Sequence, residues 1–162
     1  MKLCRLIQIL FIVSTQSLFI GFTSASPFEY DHYAILVRDL DTSVAFYGKV
    51  LQLEETFDGT EQPHIRWFSL GGNHQLHIIQ SDDAAAIAKH KGVHLALTTP
   101  NFDAFVKRLK DNKIPFENWP GEARKSNVRP DGVKQVYLQD PDGYWLEIND
   151  ASTQWPTPKK TK

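Results

Sequence analysis

Two short stretches of the sequence place a metal-binding side chain between aliphatic residues. QLHII (75–79) carries His77, and WLEIN (145–149) carries Glu147. Histidine and glutamate are both common ligands of transition metals in proteins. Their matching positions in two otherwise apolar strands predict a common task for the two side chains.

A second matching pair lies earlier in each half of the chain. Overlaying the two halves puts His32 on His94 and His77 on Glu147, with a longer loop before the last strand of the second half. An internal repeat of this kind marks a duplicated structural unit. Because the repeat keeps its polar residues in the first and the last strand, a shared site explains it better than chance.

Each half begins with a strand and a helix. In DHYAILVRDLDTSVAFY, residues 31–37 alternate as in a strand, and Asp41 is the expected N-cap of the following helix. In GVHLALTTPNFDAFVKRL, the pattern predicts a strand over 93–97 and a helix starting at Asn101 or Asp103. Three more strands follow each helix, at 53–57, 65–70 and 75–80 in the first half and at 114–117, 133–139 and 144–149 in the second.

The beginning of the chain has the layout of a secretory signal peptide. A short basic start precedes an apolar run from Leu6 to Phe22 and small residues that end at Ala25. An uncleaved membrane anchor is the alternative, but polar residues within the run make it a poor spanning helix. We therefore expect residues 1–25 to be removed from a secreted or periplasmic protein that has no membrane attachment afterwards.

Charge and cysteine content narrow the classes of function. Removing residues 1–25 takes away two of the 18 basic residues and none of the 19 acidic ones, so the mature domain is mildly acidic. This balance argues against a nucleic-acid partner. The only cysteine, Cys4, lies in the same segment, so no disulfide and no thiol nucleophile are expected in the mature domain.

The motifs DHYAILVRDLDTSVAFY and VYLQDPDGYWLEIND resemble those of the vicinal oxygen chelate superfamily. This group includes glyoxalase I, methylmalonyl-coenzyme A epimerase, extradiol dioxygenases and the fosfomycin and bleomycin resistance proteins. The resemblance implies an α+β domain over 26–150, with modules 29–80 and 92–150 and a loose tail over 151–162. Each module would be βαβββ, and their mixed sheets would curl around a metal bound by His32, His77, His94 and Glu147.

The residue types agree with such a site. Side chains two positions apart on a strand share a face, so Ala34 lies beside His32 and Ala96 beside His94, which leaves room for a bound ligand. Three imidazoles and one carboxylate suit one divalent transition metal, Zn²⁺, Ni²⁺, Fe²⁺, Mn²⁺ or Cu²⁺, better than Mg²⁺ or Ca²⁺. A metal with open positions can bind two adjacent oxygens of a small-molecule substrate as a Lewis acid.

The overall spacing is most similar to short glyoxalase-I-like proteins, which are lyases and isomerases acting on a thiol adduct of a 2-oxoaldehyde. The resemblance implies that vicinal oxygens are chelated and an enediolate is stabilised, with Glu147 as the catalytic base. Bacterial glyoxalase I has a glutamate where this chain has His77, so Glu147 would be a single base. The resemblance also favours a homodimer, in which His32 and His77 of one chain meet His94 and Glu147 of the other.

Other chemistries use the same residues. Two histidines and one carboxylate suit the non-haem iron of an extradiol-type dioxygenase. A non-catalytic antibiotic-binding or resistance protein is a second alternative, and a fosfomycin-type thiol transferase is a third. For substrate binding we select Arg66, Lys125 and Arg129, as cations that could hold an anionic group, and Trp145 as a pocket wall. His64, His74 and His90 are expected to be exposed.

Overall fold

The structure of the protein is a computed structural model, which describes residues 30–86 and 89–151. The predicted signal peptide and nearly all of the predicted tail lie outside these residues. Among the residues described, no helix combines the length and the apolar character needed to cross a membrane.

Both halves contain a strand, a helix and three strands. The first half consists of β1 (His32–Val37), α1 (Leu40–Ala45) with a π-helical extension (Phe46–Val50), β2 (Glu55–Thr56), β3 (Ile65–Gly71) and β4 (His74–Gln80). A 3₁₀ turn, Asp82–Ala86, begins the connection between the halves. The second half consists of β5 (His94–Thr98), α2 (Phe102–Asp111), β6 (Asn127–Val128), β7 (Lys134–Gln139) and β8 (Trp145–Asn149).

The strands form two four-stranded mixed sheets with equivalent topology. Their orders are β1-β4-β3-β2 and β5-β8-β7-β6, so β1 and β5 lie at corresponding edges. In each sheet the edge strand runs parallel to the last strand of its module, and the other neighbours are antiparallel. The predicted α+β class with two βαβββ modules is confirmed, and the parallel pairs place the first and last strands side by side.

Two local predictions were wrong. Helix α1 is capped by Asp39, whose carboxylate accepts a hydrogen bond from the Thr42 backbone N–H at 2.7 Å, so Asp41 lies in the first turn instead. This bond lowers the pKa of Asp39. Residues 114–117 form no strand, and the strand that precedes β7 is β6 at Asn127–Val128, within the long loop of the second half. Only Glu117 pairs, with Tyr137 and with Ala123.

One hydrophobic cluster joins both sheets to the helices. Strands β1, β4, β7 and β8 each contribute two fully buried side chains from one face, and α2 contributes three: Ile35, Val37, Leu76, Ile78, Val136, Leu138, Leu146, Ile148, Phe102, Phe105 and Leu109. Because strand side chains alternate between faces, His32, His77, His94 and Glu147 project from the opposite faces of their sheets. The core thus fixes the backbone beneath all four.

The DPDG turn between β7 and β8 docks the second module onto the first. Tyr47 donates a hydrogen bond to Asp140 Oδ2 at 2.9 Å, and both residues are buried. Burial raises the pKa of the Asp140 carboxyl. Arg38 pairs with Asp142 at 2.8 Å, and Gly143 adopts a φ of 88° that suits glycine.

The buried Tyr47–Asp140 bond can be tested by removing one hydroxyl. Tyr47→Phe keeps the ring but leaves a buried carboxylate oxygen without its donor, so we expect the free energy of unfolding to fall by about 1–3 kcal/mol. Urea denaturation measures the change. Tyr30→Phe, at a half-exposed tyrosine, is the matched control and should change little. A Tyr47→Phe variant as stable as the original protein would show that the bond does not hold the modules together.

Candidate metal site

His32 and His77 lie side by side on the exposed face of the first sheet. Their imidazole ring centroids are 4.2 Å apart, and the ring planes differ by 10°. Trp67, the cross-strand neighbour of His77, stacks on the imidazole of His77 with a centroid separation of 4.0 Å. Both faces of the His77 ring are therefore in contact with other rings.

Hydrogen bonds orient both imidazoles. His32 Nδ1 lies 2.6 Å from Asp31 Oδ2, and His77 Nε2 lies 3.0 Å from Gln75 Oε1. If Nδ1 of His32 donates to this carboxylate, Nε2 keeps the free lone pair that a metal needs. Burial, followed by the charge of His32, lowers the pKa of His77. Because the two rings are nearly parallel, one of them must rotate before both can bind one ion in their ring planes.

His94 and Glu147 form the corresponding pair on the second sheet. His94 Nε2 lies 3.2 Å from Glu147 Oε2. His94 Nδ1 lies 2.7 Å from the backbone oxygen of Lys91, which can only accept, so Nδ1 carries a proton. A backbone carbonyl bonded to one imidazole nitrogen is the usual way in which a protein orients a histidine ligand.

Glu147 is surrounded by hydrogen-bond donors and is only 3% exposed. Tyr137 donates to Oε2 at 2.5 Å, whereas Asn149 and Arg129 donate to Oε1 at 2.7 and 3.2 Å. Burial and the bond to Glu147 raise the pKa of Tyr137, so its hydroxyl stays a donor. Arg129 also binds Asp131, and this bond lowers the pKa of Asp131 to about 2.

The His94–Glu147 pair fits a divalent metal. Nε2 of His94 lies 3.2 Å from Oε2 of Glu147, which also accepts from Tyr137, so the two atoms are close enough to share one cation. Two ligand atoms about 2.1 Å from a metal lie about 3.4 Å apart at a tetrahedral angle. The 3.2 Å between the two atoms in the structure is close to this spacing.

The structure brings the predicted ligands together in pairs only. Among the described residues of one chain, no three His, Cys, Asp or Glu side chains are grouped to hold a metal ion. The four-ligand set of His32, His77, His94 and Glu147 therefore stays a prediction, and each module provides half of it.

Two of the predicted substrate-binding residues lie near the second pair. Arg129 contacts Glu147 directly, as described above. Trp145 is half-buried and lies two residues from Glu147 on the same face of the strand. The Lys91 ammonium lies 4.9 Å from the centroid of the Trp145 ring. These positions are compatible with the predicted roles.

The other two predicted substrate-binding residues are occupied by local contacts. Arg66 pairs with Glu55 at 3.4 Å and donates to the backbone oxygen of Ile65. Lys125 pairs with Glu122 at 2.8 Å and is largely exposed. Neither residue contacts any of the predicted metal ligands.

Some of the groups that orient the candidate ligands have no signal in the sequence. Tyr137 carries no motif that marks it as part of a site, yet the register of the DPDG hairpin places it opposite Glu147. The carbonyl of Lys91 carried no sequence signal, because any residue offers one. His64 and His90 are exposed as expected. The expectation for His74 was wrong, because it lies half-buried in β4 with its ring centroid 5.3 Å from that of Tyr30.

Comparison with known proteins identifies the family. Residues 29–148 match the Glyoxalase/Bleomycin resistance protein/Dioxygenase superfamily, and the chain belongs to this family. It is 28% identical over 121 residues to the metallothiol transferase FosB of Shouchella clausii, covering 74% of this chain and 77% of the relative. It is 21% identical over 156 residues to the lactoylglutathione lyase of Pseudomonas putida, covering 77% and 86%.

Solved structures share the fold. A lactoylglutathione lyase from Agrobacterium tumefaciens aligns with a TM-score of 0.61 at 20% identity, covering 82% of this chain and all of the other. The family includes enzymes with different activities and also members without catalysis. Family membership therefore agrees with the sequence-based resemblance but leaves the reaction open.

The role of Tyr137 as a support for the ligand pair can be tested with Tyr137→Phe. Loss of its hydrogen bond to Glu147 Oε2 should weaken binding of a divalent transition metal about 10- to 100-fold, as measured by competition with a coloured chelator. Tyr144→Phe is the matched control, because the Tyr144 hydroxyl bonds only the backbone of Leu36. Equal metal affinity in the two variants would contradict the role of Tyr137.

Proposed function

We propose that this protein is a metal-dependent lyase or isomerase of the glyoxalase I type. Its substrate would be a small molecule with two adjacent oxygens, converted through an enediolate. The observation that carries the proposal is the His94–Glu147 pair, in which 3.2 Å separates two ligand-type atoms oriented by other groups. A divalent transition metal bound there would polarise the substrate oxygens as a Lewis acid.

Glu147 is suited to move a proton once one of its donors leaves. Oε1 is occupied by Asn149 and Arg129, and a base needs a free lone pair. Arg129 lies on a loop, and its side chain is one-third exposed. An anionic substrate group that attracts the guanidinium would release Oε1 to accept the proton. Arg129 would thus couple substrate binding to activation of the base.

The first module would contribute differently from the second. His32 has a free Nε2 and would complete the ligand set, whereas His77 is stacked between Trp67 and His32. In bacterial glyoxalase I the position of His77 is a glutamate. A single carboxylate base can serve only one face of the substrate, so we propose a one-base reaction.

We also propose that the site is completed in a homodimer of an exported protein. The arrangement of the ligands as two separate pairs, one for each module, supports a shared site. The basic, apolar and small-residue segments over residues 1–25 support export.

A thiol transferase is the second candidate. Similarity to FosB and the position of Arg129 beside the ligand pair support it, because a guanidinium binds anionic oxygens well. The two activities share the metal but differ in the second reactant, so the assay separates them.

The proposed activity can be tested with Glu147→Gln. The wild-type protein, purified without a His-tag, should contain about one transition metal per chain and turn over the hemithioacetal of methylglyoxal and glutathione. Glu147→Gln should lose most of the metal and at least about 100-fold in turnover. Glu61→Gln, an exposed change outside the site, should leave both unchanged. A metal-loaded protein without hemithioacetal turnover would remove the glyoxalase proposal.

Mixing two inactive variants can test the shared site. If each site combines the first module of one chain with the second module of the other, a His32→Ala/Glu147→Gln heterodimer has one intact site. Equal amounts of the His32→Ala and Glu147→Gln variants, unfolded and refolded together, should recover about a quarter of wild-type activity. About half of the dimers are then mixed, and each mixed dimer has one intact site of two. Activity that stays at the level of the separate variants would indicate a site within one chain.

A further inference from the structure

A cavity of about 470 Å³ has two wall residues that are neighbours of the His94–Glu147 pair, Trp145 beside His94 and Tyr137 beside Glu147. Tyr137 forms part of its wall, and the same residue holds Glu147 through its hydroxyl. The register pairs Tyr137 with Glu147 and Gln139 with Trp145, so all four occupy one face of the sheet. Tyr137 and Trp145 therefore connect the cavity wall to the ligand pair, although neither His94 nor Glu147 lines the cavity.

The walls of the cavity are largely aromatic and apolar. Trp145, Tyr137 and Phe116 line it together with Pro115. Tyr137 and Phe116 are almost fully buried, so the half-buried ring of Trp145 is the flat surface on which a planar apolar ligand can stack. A phosphate or another compact polar ion would gain little from these walls.

The charges at the cavity favour an anion. Lys113 and Arg124 line it, are exposed, and have no ion-pair or side-chain hydrogen-bond partner among the described residues. The one carboxylate in the wall, Glu117, forms an ion pair with Lys91, which is itself mostly buried. Lys91 thereby neutralises the group that would otherwise repel an anion, and the two cations remain uncompensated.

Lys113 and Arg124 also have backbone conformations that glycine adopts with less strain. Lys113 has a φ of 55° and Arg124 a φ of 60°, and the described residues include only two other non-glycine residues with positive φ, Gln52 and Glu61. Lys113 directly follows the C-cap of α2, the position where glycine is most common. Glycine can therefore replace either residue without a backbone penalty, which allows the two charges to be removed cleanly.

We propose that this cavity binds the non-reacting part of the substrate, and that this part is a planar aromatic body carrying a carboxylate. The inference rests on the proposed function for the position of the reacting atoms, but the cavity itself needs no metal. The ring lies against Trp145, and the carboxylate is held by Lys113 and Arg124. The substrate oxygens then reach the His94–Glu147 pair.

The test uses 2-naphthoate as the probe and calorimetry on metal-free protein. We expect 2-naphthoate to bind, whereas 2-naphthalenemethanol and inorganic phosphate bind at least about tenfold more weakly, because each lacks one of the two features. Lys113→Gly and Arg124→Gly should each raise the Kd for 2-naphthoate about tenfold. Both should also raise the Tm, because glycine relieves the strained backbone.

Glu61→Gly is the matched control, since Glu61 has a φ of 53° and lies away from the cavity. It should raise the Tm without changing the Kd for 2-naphthoate. Phosphate or the alcohol binding as tightly as 2-naphthoate, or an unchanged Kd in both glycine variants at Lys113 and Arg124, would overturn the proposal. Glu147→Gln should lose the metal but still bind 2-naphthoate, so a failed lyase assay and a failed cavity remain distinguishable.

Discussion

The buried carboxylate of Glu147 is the constraint on which the second module depends. A carboxylate that is 3% exposed is stable only if donors or cations replace the water it has lost. Its partners come from the edge strand, the hairpin strands and the long loop: His94, Tyr137, Asn149 and Arg129. The register of β5, β7 and β8 must therefore be correct before the charge can be buried at all.

The first module has the same order of strands and helix but a different residue at the position of Glu147. At the place of Glu147 it has His77, a group that can be neutral and so needs fewer donors when it is partly buried. Trp67 and His32 stack on this ring instead of bonding to it. The two modules thus place metal-capable side chains at equivalent positions but surround them with different groups.

The DPDG turn connects the stability of the fold to the geometry of the site. It sets the β7–β8 register that places Tyr137 opposite Glu147, and it carries Asp140, which bonds Tyr47 of the first module. The same turn residues therefore hold the modules together and align the donor to the candidate base. A change in this turn is therefore expected to act on both properties at once.

The sequence by itself determined the α+β class, the order of the two modules and the strand faces that carry the candidate ligands. These features follow from alternation and repetition, which are local properties of the chain. It misplaced the N-cap of α1, where the Asp39 side chain decides the outcome, and the second strand of the second module. Only the tertiary structure showed that Glu147 is buried among donors, that His77 is stacked, and that Lys113 and Arg124 border one cavity. These features depend on contacts between residues far apart in sequence, whose distances no local pattern determines.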